Sequence, residues 1–211
     1  ARCRVGLARG DITPPIGIYH RMWGAATHDR AEGVHRPLLA TVLWLEPLTA
    51  AIDPSDSPSQ QVIAAIDHCV LEADEYERLR LAMAAAADVP IESVSVTLSH
   101  THAAGRMSRS RSDLPGGELI GSYLDGLAAQ LGQLAVQARE TLAPATIVFG
   151  QGRCALAANR DLWDAAAGRF VCGYNPHGAA DDTLPIGRIT DDAGTVRAVL
   201  INYACHPTTL A

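Results

Sequence analysis

Hydrophobic and polar residues alternate at two periods along this chain, and each change of period marks an element. Arg2–Arg9 alternates loosely and reads as a strand. Asp11-Ile12-Thr13-Pro14-Pro15 stops it, because two successive prolines fix φ and remove two donors. A loop rich in His, Arg and Gly runs on to Gly33, with His20, Arg21, His28, Asp29, Arg30 and Glu32 in it. It reads either as a solvated surface loop or as the rim of a site. Pro37–Glu46 and Gln61–Asp67 are apolar strands, with a turn or exposed hairpin tip at Pro54-Ser55-Asp56-Ser57-Pro58-Ser59 between them. The period then lengthens: over Glu72–Ala87, Tyr76, Leu79, Met83 and Ala87 form a helical stripe. Ser93–Ser99 returns to clean period-two alternation, a strand. Ala103–Pro115 has no period and reads as a mobile loop. From Glu118 to Thr141 a long helix is expected, with Leu119, Tyr123, Leu127, Leu131, Leu134 and Ala138 near one face, and Pro144 closes it. Short strands are expected at Thr146–Phe149, Cys154–Ala157 and Ile186–Thr190. The last turns at Asp191-Asp192-Ala193-Gly194 into Val196–Ala204.

Strands and helices therefore interleave, yet several strands are joined by hairpin-like turns rather than by helices. That predicts an α/β fold with mixed sheets and covering helices, not a purely parallel doubly wound sheet. No internal repeat and no linker divides the chain. Composition agrees with a packed core: of 211 residues 48% are hydrophobic and 19% charged, while aromatics are only 5%, so the core is built from small and aliphatic side chains. A formal net charge of −6 without a basic block argues against nucleic acid or an anionic membrane surface as the main partner. The longest apolar runs, such as Leu38–Leu45, are strand-sized and far short of a membrane span. Cys3, Cys69, Cys154, Cys172 and Cys205 are scattered and odd in number, which reads as reduced buried thiols rather than disulfides. No charged-then-apolar signal segment opens the chain, and a processed secreted protein would look the same. The compartment stays open.

The chemistry concentrates at Ser99-His100-Thr101-His102, where the period-two strand ends. Residues two apart on a strand face the same way, so His100 and His102 are positioned to converge on one ion, and imidazole nitrogen suits Zn²⁺. A pair of surface or core histidines that happen to alternate is the competing reading. His206, in Ala204-Cys205-His206-Pro207, also stands where a strand gives way to a loop. Alone, His206 reads equally well as a structural histidine; with the pair it becomes a candidate ligand, since three histidines at strand ends are a familiar way to make a catalytic zinc site with a position open for water. Asp67 closes another apolar strand, where it either orients a ligand histidine, holds a water, or only caps the loop. Asn159-Arg160 offers a cation to polarise a carbonyl, although the dipeptide is common. Nucleophilic and dinuclear alternatives lose ground. Cys205 and His206 are adjacent and would face opposite sides of a strand, no GxSxG elbow is present, and no Asp-His follows the histidine pair.

In this order the motifs resemble the neutral/alkaline ceramidase family, over the N-terminal part of its catalytic domain. The likeness lies in Gly6-Leu7-Ala8-Arg9-Gly10-Asp11-Ile12-Thr13-Pro14-Pro15, in Glu32-Gly33-Val34-His35-Arg36-Pro37-Leu38, in Ser99-His100-Thr101-His102, in Asn159-Arg160, and in Asn202-Tyr203-Ala204-Cys205-His206-Pro207-Thr208. The resemblance implies a zinc-dependent hydrolase of linear amides, with His100, His102 and His206 as metal ligands. It implies Asp67 as a carboxylate beside the metal, Arg160 as a substrate-binding and catalytic arginine, and His35 as a further substrate contact. It also implies two mixed sheets layered with covering helices.

Two departures from the family follow. Its further zinc ligands, a Glu and a Tyr, come after the third histidine, whereas this sequence runs only five residues past His206. The whole of residues 1–211 is therefore expected to be an incomplete half of a larger catalytic domain, with a second polypeptide or C-terminal fragment packing on Val196–Ala204 and supplying further ligands. Ala103-Ala104-Gly105 also stand where lipid-cleaving members carry a Ser-Gly-Pro-like stretch, so the amide substrate is not expected to be ceramide itself. An esterase or lactonase on the same scaffold and a non-catalytic metal-binding subunit remain the alternatives.

Overall fold

A computed structural model describes residues 1–22, 26–49 and 60–206, and the turn expected at 54–59 lies outside them. The elements in chain order are β1 (Arg2–Asp11), β2 (Leu39–Glu46), β3 (Gln61–Ile66), β4 (Val70–Leu71), α1 (Ala73–Ala87), β5 (Val94–Leu98), β6 (Arg106–Met107), α2 (Ile120–Glu140), β7 (Ala143–Arg153), β8 (Asp161–Asp164), β9 (Arg169–Cys172), β10 (Thr183–Asp191) and β11 (Val196–Ile201). The fold is of the mixed α/β class. Two compact units divide it, one over 2–144 and one of residue 1 with 145–206.

In the first unit the strands lie in the order β1-β2-β3-β5. β1, β2 and β3 pair antiparallel, while β5 joins β3 parallel, with Ile66 opposite Leu98. Alternation assigns the two faces. Ala40, Val42 and Trp44 of β2, Val62, Ala64 and Ile66 of β3, and Val94 and Val96 of β5 are buried together with Leu79 and Met83 of α1 and Leu124, Leu127 and Leu131 of α2. Two acidic residues, Asp74 and Glu75, occupy the first turn of α1, where the helix dipole favours them. α1 ends on Asp88 in the left-handed region, its N–H donating to the Ala84 carbonyl. The second helix lies so close on β1 that a Cβ at Gly6 would sit 1.9 Å from the Ala138 carbonyl oxygen, so this position demands glycine.

The loop between β1 and β2 is folded rather than merely solvated. Ile18 is wholly buried, Tyr19 bridges to Arg30, and the His20 N–H donates to the Asp29 carbonyl at 2.7 Å. Residues 103–115 also differ from the loop expected of them. They contain the short strand β6, paired parallel with β4, and a 3₁₀ turn at Arg109–Arg111. Arg109 anchors this segment by donating to Glu75 of α1 and to Asp125 of α2, the latter at 2.6 Å.

The second unit pairs β10 antiparallel with both β7 and β11. Beside these strands β8 and β9 form a two-stranded ribbon, on which Trp163 and Phe170 stack edge to face with ring centroids 5.2 Å apart. The strand expected at Cys154–Ala157 does not form: β7 ends at Arg153 and the chain turns there. Tyr203 holds that turn, accepting from the Ala157 N–H at 2.8 Å and donating to the Cys154 carbonyl at 2.6 Å. A backbone bent by such paired bonds has no free edge for a ladder. All five cysteines are free thiols, but of the burial expected for them only Cys69 shows it; Cys3, Cys154 and Cys205 are half-buried and Cys172 is exposed. Among the described residues no helix is long and apolar enough to cross a membrane.

Candidate metal centre

Two parallel neighbours bring the candidate residues together. β3 and β5 end level, with Ile66 opposite Leu98, so the segments that leave them emerge side by side. The carboxyl end of adjacent parallel strands is the common place for a site in an open sheet. After β3 come Asp67, His68 and Cys69; after β5 come Ser99, His100, Thr101 and His102. The Ser99 N–H still donates to the Ile66 carbonyl at 3.0 Å, the last rung of the ladder.

His100 and His102 do come together, but not by strand alternation, since β5 stops at Leu98. His100 instead takes the left-handed conformation, with φ of 57°. Such a backbone is uncommon for a residue bearing a Cβ and is found at sites that constrain the chain. It turns the chain so that His102 opens a short 3₁₀ helix capped by the Thr101 hydroxyl, which accepts from the Ala103 N–H at 3.3 Å. The two imidazoles meet edge to face with centroids 5.4 Å apart, both half-buried.

A third donor joins them from the other segment. Cys69, His100 and His102 each offer a ligand atom, and these atoms lie within 4.8 Å of one another. Nothing in the spacing of the sequence pairs Cys69 with the histidines. The available signal was its position just past the end of an apolar strand, the same position that drew attention to Asp67. His100 Nδ1 lies 3.1 Å from the Cys69 carbonyl oxygen, which can only accept, so Nδ1 carries a proton and the neutral ring keeps its lone pair on Nε2. Ligating histidines are commonly oriented in this way, through the ring nitrogen that does not bind the metal. Nitrogen and sulfur donors at this separation fit Zn²⁺ by ligand type.

Asp67 stands outside this cluster of three. Its Oδ2 accepts from the Leu39 N–H at 3.0 Å while its own N–H donates to the Leu39 carbonyl at 2.9 Å, so the carboxylate clamps β2 beside β3. His68, between Asp67 and Cys69, is fully buried, and burial depresses its pKa to about 4. Burial likewise raises the Cys69 thiol above its ordinary value. His20 Nε2 donates to the Ala103 carbonyl at 2.8 Å and His20 stacks on His28, so the loop between β1 and β2 borders the turn that carries His102. His35 lies exposed in the bend before β2.

Arg160 and His206 belong to the second unit. The Arg160 side chain is exposed, and its carbonyl accepts from the Gly173 and Leu162 N–H groups, tying the start of the β8–β9 ribbon. Asn159 beside it is structural: its Oδ1 accepts from the Asp161 N–H and its Nδ2 donates to the Ala179 carbonyl. His206 is half-buried, just past β11.

No protein-family model and no curated protein matches this sequence. Solved structures do match its shape. A crystal structure of neutral ceramidase from Pseudomonas aeruginosa superposes over 99% of this chain with a TM-score of 0.71 and 17% identity. A ceramidase complexed with C2 superposes over 94%, with a TM-score of 0.68 and 18% identity. The chain carries the neutral ceramidase fold. It spans only about a third of those proteins, 32% and 30% of their chains. At this identity the ceramidase likeness fixes architecture, and the chemistry must be argued from the residues themselves.

Proposed function

We propose that this chain is part of a zinc-dependent hydrolase of linear amides. The observation that supports it most is the convergence of His100 and His102 just past the end of β5, beside its parallel neighbour β3, in a chain with the ceramidase fold. A zinc ion held there would supply Lewis-acid polarisation of a carbonyl and would lower the pKa of a water toward ~7. The residues around it do the rest. The Nδ1 proton of His100, held on the Cys69 carbonyl, keeps Nε2 as a donor. Asp67 keeps one oxygen on the Leu39 N–H and uses the other, Oδ1, to take a proton. From the sequence motif alone, Arg160 stabilises the developing oxyanion, His35 contacts substrate, and His206 is the third histidine ligand.

The reading extends to partners. The chain covers about a third of the ceramidases it matches, and its second unit leaves large apolar residues exposed, among them Phe149, Leu156, Phe170 and Ile201. A further polypeptide segment covers this surface in the working enzyme and contributes to the metal site.

The test is elemental analysis of freshly purified protein that has met no chelator. About one zinc per chain or complex is expected, and His100→Ala or His102→Ala should release most of it, with loss of amide hydrolysis across an acyl-amide panel. Protein without a transition metal would overturn the reading. Turnover of esters or lactones but not amides would leave the zinc and replace the substrate class.

A further inference from the structure

We infer that His20 is a positioning residue of the candidate metal centre: it holds the Ala103 carbonyl, and so fixes the direction in which His102 presents its imidazole. This rests on the reading that His100 and His102 serve the metal, and it leaves His206 and a further segment in the places proposed for them. The bond runs from His20 Nε2 to the Ala103 carbonyl oxygen at 2.8 Å. That oxygen only accepts, so His20 keeps a proton on Nε2. The turn it meets has little rigidity of its own. His102–Ala104 is a single 3₁₀ turn, and hydrogen bonds of that kind have poorer geometry than those of an α-helix. The peptide joining His102 to Ala103 is held by the Thr101 hydroxyl, which accepts from the Ala103 N–H at 3.3 Å. The next peptide is held by His20 through its carbonyl. Ala104 is wholly buried, but apolar burial is non-directional and does not orient the peptide before it.

A support keeps a site in place only when it is itself locked. His20 meets that condition. Its N–H donates to the Asp29 carbonyl at 2.7 Å, its ring stacks on His28 with centroids 5.7 Å apart, and the preceding Ile18 and Tyr19 are buried. The turn lies against its backbone as well: a Cβ at Gly105, where φ is +71°, would come 3.1 Å from the His20 carbonyl oxygen. Side chain and main chain of His20 thus both brace the segment that carries His102.

Zinc affinity and the visible ligand-field spectrum of the cobalt(II)-loaded full chain read the geometry of the site apart from turnover. His20→Ala removes the donor, whereas His20→Gln offers an amide N–H in nearly the same place. His20→Ala should weaken zinc binding by the ~10–100-fold that loss of an outer-shell partner costs, and shift the cobalt bands, with the far-ultraviolet circular dichroism unchanged. His20→Gln should restore most of both. Should His20→Ala fail to fold, His20→Asn, whose amide falls short of the carbonyl, takes its place beside His20→Gln. Affinity and spectrum unchanged in His20→Ala would overturn the assignment, as would a His20→Gln protein no better than His20→Ala. A chain that binds neither zinc nor cobalt would overturn the zinc reading alone, and the metal-free protein then decides for His20. Nuclear magnetic resonance couplings should report one χ1 rotamer of His102 in the unaltered and His20→Gln proteins and an average over several in His20→Ala. A single rotamer in all three would overturn the positioning role.

Discussion

Tyr123 serves two groups with one hydroxyl. It donates to the Ile12 carbonyl at 2.9 Å, so towards His68 it can only accept, and the His68 Nε2 at 3.2 Å must carry the proton. That leaves the buried His68 Nδ1 without a partner among the described residues. Burial, with help from the charge of Asp11, pushes the phenol well above its ordinary pKa, so this hydroxyl stays protonated. Tyr123→Phe would strand both an enclosed N–H and a carbonyl. The expected loss is about 1–3 kcal/mol in urea unfolding, and His68→Leu added to it should recover part, because removing both partners costs less than removing one. A Tyr123→Phe protein as stable as the original would show that water replaces the hydroxyl.

Arg109 does at the level of elements what Tyr123 does within the core. It lies in the 3₁₀ turn of residues 109–111 and donates to Glu75, nearly enclosed on α1, and to Asp125, exposed on α2. Both bonds raise the guanidinium pKa further, and Asp125 is held below its ordinary value by the same contact. Arg109→Ala would leave the Glu75 carboxylate buried without its cation, at a cost of roughly 3 kcal/mol. Glu75→Gln in the same chain should restore much of the melting temperature, which thermal denaturation of the single and double variants would measure. This anchor is invisible in the sequence, since residues 34 and 16 positions apart have no shared period. What period can show, it does show: α1, α2, β2, β3 and β5 are legible because each buries one regular face. The β8–β9 ribbon is not, because a two-stranded ribbon with exposed Trp163 and Phe170 buries no face that would impose a pattern. The candidate metal centre is half legible for a similar reason. His100 and His102 are neighbours in sequence, whereas Cys69 reaches them only through the parallel register of β3 with β5.

For the whole molecule the second unit poses the question of partners in its plainest form. Val148, Arg188 and Val199 stand opposite one another across β7, β10 and β11, and Ile201 follows Val199 on the same face two residues on. Val148 is 50% exposed, Val199 49% and Ile201 64%, so apolar side chains lie open on this sheet face on either side of the exposed Arg188. Scattered apolar side chains are ordinary on a surface, but several gathered on one sheet face mark an interaction surface. Under the proposed function a further polypeptide segment occupies this face, in keeping with a chain that spans 32% of the ceramidase whose fold it shares. Residues 1–211 prepared by themselves should therefore bind an apolar fluorescent dye and self-associate in sedimentation as concentration rises. Val199→Thr with Ile201→Thr keeps the β-branched shape that a strand favours and removes much of the apolar surface. Dye binding and association should both fall in that double variant, with the far-ultraviolet circular dichroism unchanged. A chain that stays monomeric and dark to the dye before any substitution would mean that this face is ordinary solvated surface, and that no further segment is needed to cover it.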